Sequence, residues 1–197
     1  MNPLLTALGV PEQVQAFFNI HELLFNYGGD FEHYDSGFHR VPTTQNLWLA
    51  GKDLASEVII TSTALEAIAY LSVNLHRYAD LDTLTFMAIG NLPHPGQMNW
   101  IRTNYAKCKF TLVFGKDLLG KLADITVAAG LKNKTVTLQR SDIQIQIMFS
   151  NRLYGFDQDH LSLNAFEKVS GLRSGVRTSK PKEFDTYLDQ LKYYANR

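Results

Sequence analysis

Three short apolar runs punctuate the middle of the chain, with helical spacing between them. Val58-Ile59-Ile60-Thr61, Leu84 to Ile89 and Phe110 to Phe114 are continuous or nearly so, the pattern of strands covered on both faces, and Thr135 to Leu138 reads as a fourth strand. Leu65 to Leu75 is strongly helical behind the cap pair Ser62-Thr63, and Met98 to Tyr105 reads as a helix after the Pro93-His94-Pro95-Gly96 loop. From Leu118 the residues Leu119, Leu122, Ile125, Thr126 and Ala129 recur at helical spacing as far as Gly130, read as a C′ residue. Strands alternating with helices predict an α/β fold with a doubly wound, mostly parallel sheet. Lys109 to Gly130 is its centre, because open α/β sheets bind ligands at the carboxyl ends of strands, where Asp117 lies.

On either side of this core the pattern changes. Leu4 to Asn19 reads as a short helix interrupted at Gly9-Val10-Pro11, with Pro11 in a helical first turn. From Leu23 to Gly51 short aromatic-rich runs alternate with the turn signals Gly28-Gly29, Ser36-Gly37 and Pro42, which predicts two to four antiparallel strands. Ile143 to Phe149 alternates over its first five residues and is expected to pair with Leu153 to Phe156 through a Ser150-Asn151 turn, as a hairpin with one solvated face. Leu161 to Val169 reads as a helix, Ser170 to Pro181 as a loop, and Glu183 to Tyr194 as an amphipathic helix with Phe184, Tyr187, Leu188 and Leu191 on one side. The expected organisation is an N-terminal helix and β-rich subdomain (1–54), an α/β core (55–142) and a C-terminal hairpin and helix extension (143–197).

Composition narrows the class. A chain of 197 residues at 45% hydrophobic content can bury one substantial core. No apolar run approaches the roughly 18 to 20 residues of a membrane span, and the start lacks a basic n-region, so a soluble protein with no membrane partner is expected. The single cysteine, Cys108, excludes an internal disulfide framework and a cysteine-based zinc site, and makes a reducing cytoplasm the expected location. The net charge of zero conceals a division: residues 1–100 carry three basic residues (Arg40, Lys52, Arg77) against ten acidic ones, and residues 101–197 carry sixteen against nine, or −7 and +7. Such asymmetry fits a polyanion, DNA or RNA, on the basic half; it equally fits attraction between the halves in a compact fold or a dimer. Lys168, Arg173, Arg177, Lys180 and Lys182 are the candidate phosphate contacts, with Tyr154 and Phe156 as candidate stacking residues.

Other candidate chemistries are weaker. His21, Asp30, Glu32, His33, Asp35 and His39 gather in one segment, but their spacing is not that of a metal site, and exposed polar positions of hairpins account for them. Ser62 stands at a strand-to-helix turn without the Gly-x-Ser-x-Gly elbow of a nucleophile and reads as a cap. His94 lies after the second core strand with no identifiable acid partner, and Trp48 and Trp100 read as core or interface aromatics. A Gly-rich phosphate loop of the Walker or dinucleotide type is absent from the sequence.

Ser62-Thr63-Ala64-Leu65-Glu66-Ala67-Ile68-Ala69 opens a helix directly after a strand, and Gly115-Lys116-Asp117-Leu118-Leu119-Gly120 does the same after another. Together these stretches resemble the Toprim domain, the metal-binding α/β module of DnaG-type primases, topoisomerases and related nucleases. More narrowly they look like the Toprim-containing primase and mobilisation proteins of bacterial mobile elements. That family has E-S-P-I-D-A-L-S and D-x-D-x-x-G at these places, and its late K-D-x-N-D-x-L element has an echo in Lys182 to Leu188. The resemblance implies a glutamate as general acid/base and two aspartates holding Mg²⁺ against a phosphodiester. Ser62 and Gly115 stand in the places of the glutamate and first aspartate, and only Asp117 and Gly120 of the signature remain. Mg²⁺ needs oxygen ligands, usually carboxylates, and a serine supplies no proton-transfer group working near neutral pH.

The resemblance therefore implies a Toprim-like fold with a degenerate centre and no resident cofactor, which argues against an enzyme. The function it implies is a nucleic-acid-binding or assembly module of DNA replication, priming or mobilisation, beside a replication or mobilisation protein. Two alternatives stand beside it. One is a phosphoryl-transfer enzyme holding Mg²⁺ with Asp117 and Glu66, since Glu66 lies one helical turn beyond Ser62. The other is a protein-interaction module that binds no nucleic acid.

Overall fold

The computed structural model describes residues 1–35, 37–52, 55–140 and 144–197 and begins with two short helices, α1 (Pro3–Ala7) and α2 (Glu12–Phe18). Asn2 caps the first through its side-chain oxygen; Pro11 is the N-cap of the second, one place before its first turn, and Asn19 ends it in a left-handed conformation. An antiparallel meander follows, β1 (Leu24–Asn26), β2 (Phe31–Asp35) and β3 (Phe38–Arg40), as the aromatic runs predict. Ser36, of the expected Ser36-Gly37 turn signal, lies outside the described residues. β4 (Trp48–Gly51) joins the central sheet instead of the meander.

The three apolar runs form the centre of that sheet. β5 (Glu57–Thr61), β6 (Leu84–Ala88) and β7 (Lys109–Val113) are parallel, with β5 in the middle, and β4 lies antiparallel on the far side of β6. α3 (Ala64–Asn74) leads from β5 to β6, α4 (Pro95–Asn104) from β6 to β7, and α5 (Leu118–Leu131) leaves β7. Ile59, Phe86 and Val113 pack toward α3, whereas Ile60, Met87 and Leu112 pack with Met98 and Ile101 of α4 and Ile125 and Ala129 of α5. Helices on both faces explain why these strands read as continuous apolar runs. The chain is thus a mixed α/β fold with a mostly parallel central sheet and additional antiparallel sheets.

The remaining strand prediction is corrected. Thr135 to Leu138 does not extend the core: β8 (Val136–Arg140) pairs antiparallel with β9 (Ile145–Phe149), which pairs with β10 (Arg152–Phe156), in a separate three-stranded sheet. The turn at Ser150-Asn151 forms as expected, both residues at positive φ, as a tight hairpin requires. Asp142 and Ile143, at the expected start of this hairpin, lie outside the described residues. Gly130 is a helical residue of α5 and not its C′; a Cβ there would stand 2.6 Å from Cγ of Met98, so the glycine lets α4 and α5 approach. After α6 (Leu163–Ser170) the segment read as loop contributes β11 (Arg177–Thr178), parallel to β7 at the sheet edge, and α7 (Tyr187–Ala195) then packs on α3. Among the described residues no helix is long and apolar enough to cross a membrane.

Glu32 also departs from its expected place. It is fully buried, not an exposed hairpin position, because β2 turns Phe31 outward and Glu32 inward. Its carboxylate accepts hydrogen bonds from the Tyr27 hydroxyl (2.6 Å) and from the backbone N–H groups of Ala64 (2.7 Å) and Leu65 (3.1 Å), and lies 3.0 Å from Nε2 of His39. A carboxylate from the meander therefore caps α3, where the first N–H groups lack intrahelical partners and the helix dipole favours negative charge. Burial and the neighbouring Glu32 raise the pKa of Tyr27, which keeps the phenol a donor. Replacing Glu32 by alanine strands these donors, and a loss of about 3 kcal/mol in urea-unfolding stability is expected; a change below about 0.5 kcal/mol would show the cap to be dispensable.

Candidate functional site

α3 leaves β5 toward one face of the sheet and α5 leaves β7 toward the other, so the carboxyl ends of these adjacent strands border a crevice. Open α/β sheets bind ligands at such a place. Ser62 is half-buried, and its carbonyl accepts the N–H of Gly90 (2.9 Å). Thr63, not Ser62, is the N-cap of α3; its hydroxyl accepts the N–H of Glu66 (2.9 Å). Asp117 is the N-cap of α5, with Oδ1 accepting the N–H of Gly120 (2.8 Å). Gly120 is required by close approach: a Cβ would lie 2.1 Å from the carbonyl oxygen of Gly115. Asp117 and Gly120 together thus shape the turn between β7 and α5.

Glu66 is 4% exposed and faces α7. Its two oxygens accept the N–H groups of Tyr187 (2.7 Å) and Leu188 (3.0 Å), so it caps α7 as Glu32 caps α3. Burial pushes its carboxyl up to about 7 against the lowering effect of these two amides. Glu66 and Asp117, paired as a metal site in the sequence reading, each hold the first turn of a different helix. This donor set does not fit Mg²⁺, whose ligands are several oxygens free to converge on one point. Among the described residues no group of three His, Cys, Asp or Glu side chains is arranged to hold a metal.

The C-terminal segment closes the crevice. Ser179 N–H donates to the carbonyl of Leu112 (2.8 Å), continuing the β11 pairing, and Lys180 Nζ then reaches the carbonyls of Phe114 and Gly115 (both 2.9 Å) and Oδ2 of Asp124 (2.7 Å). Lys116 donates its backbone N–H to the carbonyl of Asp185 (3.0 Å) and its Nζ to the carbonyl of Lys182 (2.5 Å). Asp124 is buried, which pushes its carboxyl up to about 6 despite Lys180, and its Oδ1 has no hydrogen-bond partner among the described residues. Sequence gave no sign of Asp124 or of the caps made by Glu32 and Glu66, whose partners are distant along the chain.

The other candidates separate. Lys168, Arg173, Arg177 and Lys182 are exposed and in no ion pair among the described residues, whereas Lys180 is held inside as described. Phe156 is buried against Phe166, so it is not a stacking residue on the surface; Tyr154 is half-buried with its ring edge-on to Phe166. His94 caps α4, with Nδ1 accepting the N–H of Gly96 (3.1 Å). Trp48 is core, between Phe18 and Phe25, but Trp100 is 40% exposed. His21, Asp30 and His33 are exposed. The chain matches no protein-family model, no curated protein and no solved structure.

Two outcomes are expected of this site. Replacing Gly120 by alanine forces the β7–α5 turn apart and should lower stability by about 2 kcal/mol or more in thermal or urea unfolding. Glu66 and Asp124 ordinarily titrate at 4.5 and 3.8 and in the fold at about 7 and about 6, so between about pH 4 and 7 the native state binds more protons than the unfolded one. Their contribution to stability is therefore complete below their unfolded values and is lost as pH rises through the folded ones. Urea unfolding at pH 4.5 and 7.5 should show this fall, by roughly 2 to 3 kcal/mol from Glu66; Glu66→Gln should flatten it, and an unchanged slope in that variant would assign the fall elsewhere.

Proposed function

We propose that the chain is a catalytically silent, Toprim-like module that binds nucleic acid or serves as an assembly module in replication, priming or the mobilisation of mobile elements. The observation that carries this reading is the state of the segment from Lys168 to Lys182. Four of its cations are exposed without acid partners among the described residues, while the fifth, Lys180, anchors the segment over the crevice. In the family that the chain resembles, a cation held by aspartates would occupy that end of the sheet; here an ammonium lies on its carbonyls. A fixed segment with free cations suits phosphate contact, since little conformational freedom is lost on binding. The charge division supports the same reading, because each of the four ion pairs described joins residues within one half of the chain, so none of them links the basic half to the acidic one.

Fluorescence anisotropy with labelled single-stranded and duplex DNA, over a salt series with and without Mg²⁺, tests it. Binding is expected to weaken steeply with salt and to ignore Mg²⁺. Changing Lys168, Arg173 and Arg177 together to alanine, with Lys180 left in place, should reduce the log–log salt slope by about two to three. No binding at low salt would transfer the reading to a protein-interaction module, and binding that requires Mg²⁺ would overturn the silent centre.

A further inference from the structure

Beside α7 a cleft of about 250 Å³ runs between the turn after α3 (Leu75–Arg77) and the segment entering α7. Phe184, Tyr187 and Tyr194 give it aromatic walls, and Arg77 and Lys182 border it as exposed cations in no ion pair among the described residues. Glu183, also exposed, is the acid of the lining, and Lys180 reaches the cleft while its Nζ stays on Asp124. The aromatic walls are held in place. Tyr187 has its hydroxyl 2.8 Å from Oγ of Ser179 and its ring edge-on to Tyr70 at 5.0 Å. Phe184 lies 5.2 Å from Tyr193 and 6.2 Å from Tyr194, centroid to centroid, and Tyr194 is 52% exposed.

The sequence does not show this juxtaposition. Arg77 is one of three basic residues in the acidic half, and the fold brings it to the same cleft as Lys182. Cations alone would select any anion, and exposed rings alone would select any apolar surface. Both together select a planar base carrying a phosphate, because every base has a face to stack and each nucleotide a charge to neutralise.

We infer that this cleft is a nucleotide subsite, taking one base against Phe184 and Tyr194 and its phosphate beside Arg77 and Lys182. The inference rests on the nucleic-acid reading above and names where a base of the bound strand leaves solvent. Tyr194 and Arg77 are exposed, so their variants should fold. With labelled oligo(dT), Tyr194→Ala should weaken binding about tenfold without changing the salt slope, Tyr194→Phe should restore it, and Arg77→Ala should lower the slope by about one. In parallel, AMP titrated into the protein should shift the NMR ring signals of Phe184 and Tyr194, and Arg77→Ala should suppress those shifts.

Oligo(dT) binding that weakens in the Lys168, Arg173 and Arg177 variant but ignores Tyr194→Ala and Arg77→Ala would overturn the subsite and leave the nucleic-acid reading standing. AMP shifts without oligo(dT) binding would keep the subsite, as a site for a free nucleotide, and overturn the strand reading. Absence of both would overturn both.

Discussion

A carboxylate buried at the start of a helix is the contact on which this molecule depends. Glu32 of β2 holds the first N–H groups of α3, and Glu66 of α3 holds those of α7. The meander, the central sheet's first crossover helix and the C-terminal helix are thereby joined in series by two side chains. Each carboxylate would be unfavourable to bury alone; amide donors and the helix dipole make burial tolerable, and those donors in turn would be stranded without it. The arrangement also uses negative charge from the acidic half without pairing it to the lysines and arginines of the basic half.

The core was legible because two-sided burial writes itself as unbroken apolar text. Val58 to Thr61, Leu84 to Ile89 and Phe110 to Phe114 needed no partner to be recognised. Thr135 to Leu138 alternates threonine with Val136 and Leu138, a pattern that marks a strand without saying which sheet it joins, and its strand pairs with the nearby β9. Arg177-Thr178 carried no apolar signal at all, since an edge strand of two residues is defined by backbone pairing alone. Glu32 was misread because Phe31 takes the exposed place on the pleat.

The candidate site was legible in position but not in chemistry. Asp117 and Gly120 stand where the strand-to-helix grammar puts them, and their spacing has a local physical reason in the capped turn and the close approach of Gly115. That reason operates whether or not a metal is ever bound. Glu66 reads from sequence as an ordinary first-turn acid; its partners Tyr187 and Leu188 are 121 and 122 positions away, beyond what any window can register. Lys180 has the same history, a surface cation in the text and the closure of a crevice in the fold.

The closure at Lys180 and the cap at Glu66 also set an order of events for a chain emerging from the ribosome. Strands β5, β6 and β7 can pair once residue 113 has been made, but the crevice beside them stays open, and Glu66 stays without its donors, until residues 180–188 have followed. At the usual speed of synthesis, about 5 to 20 residues per second, that interval lasts several seconds. For that time the nascent protein presents an uncovered sheet end and an unshielded acid, so a chaperone or an assembly partner arriving early would meet a different surface from the one left in the finished fold.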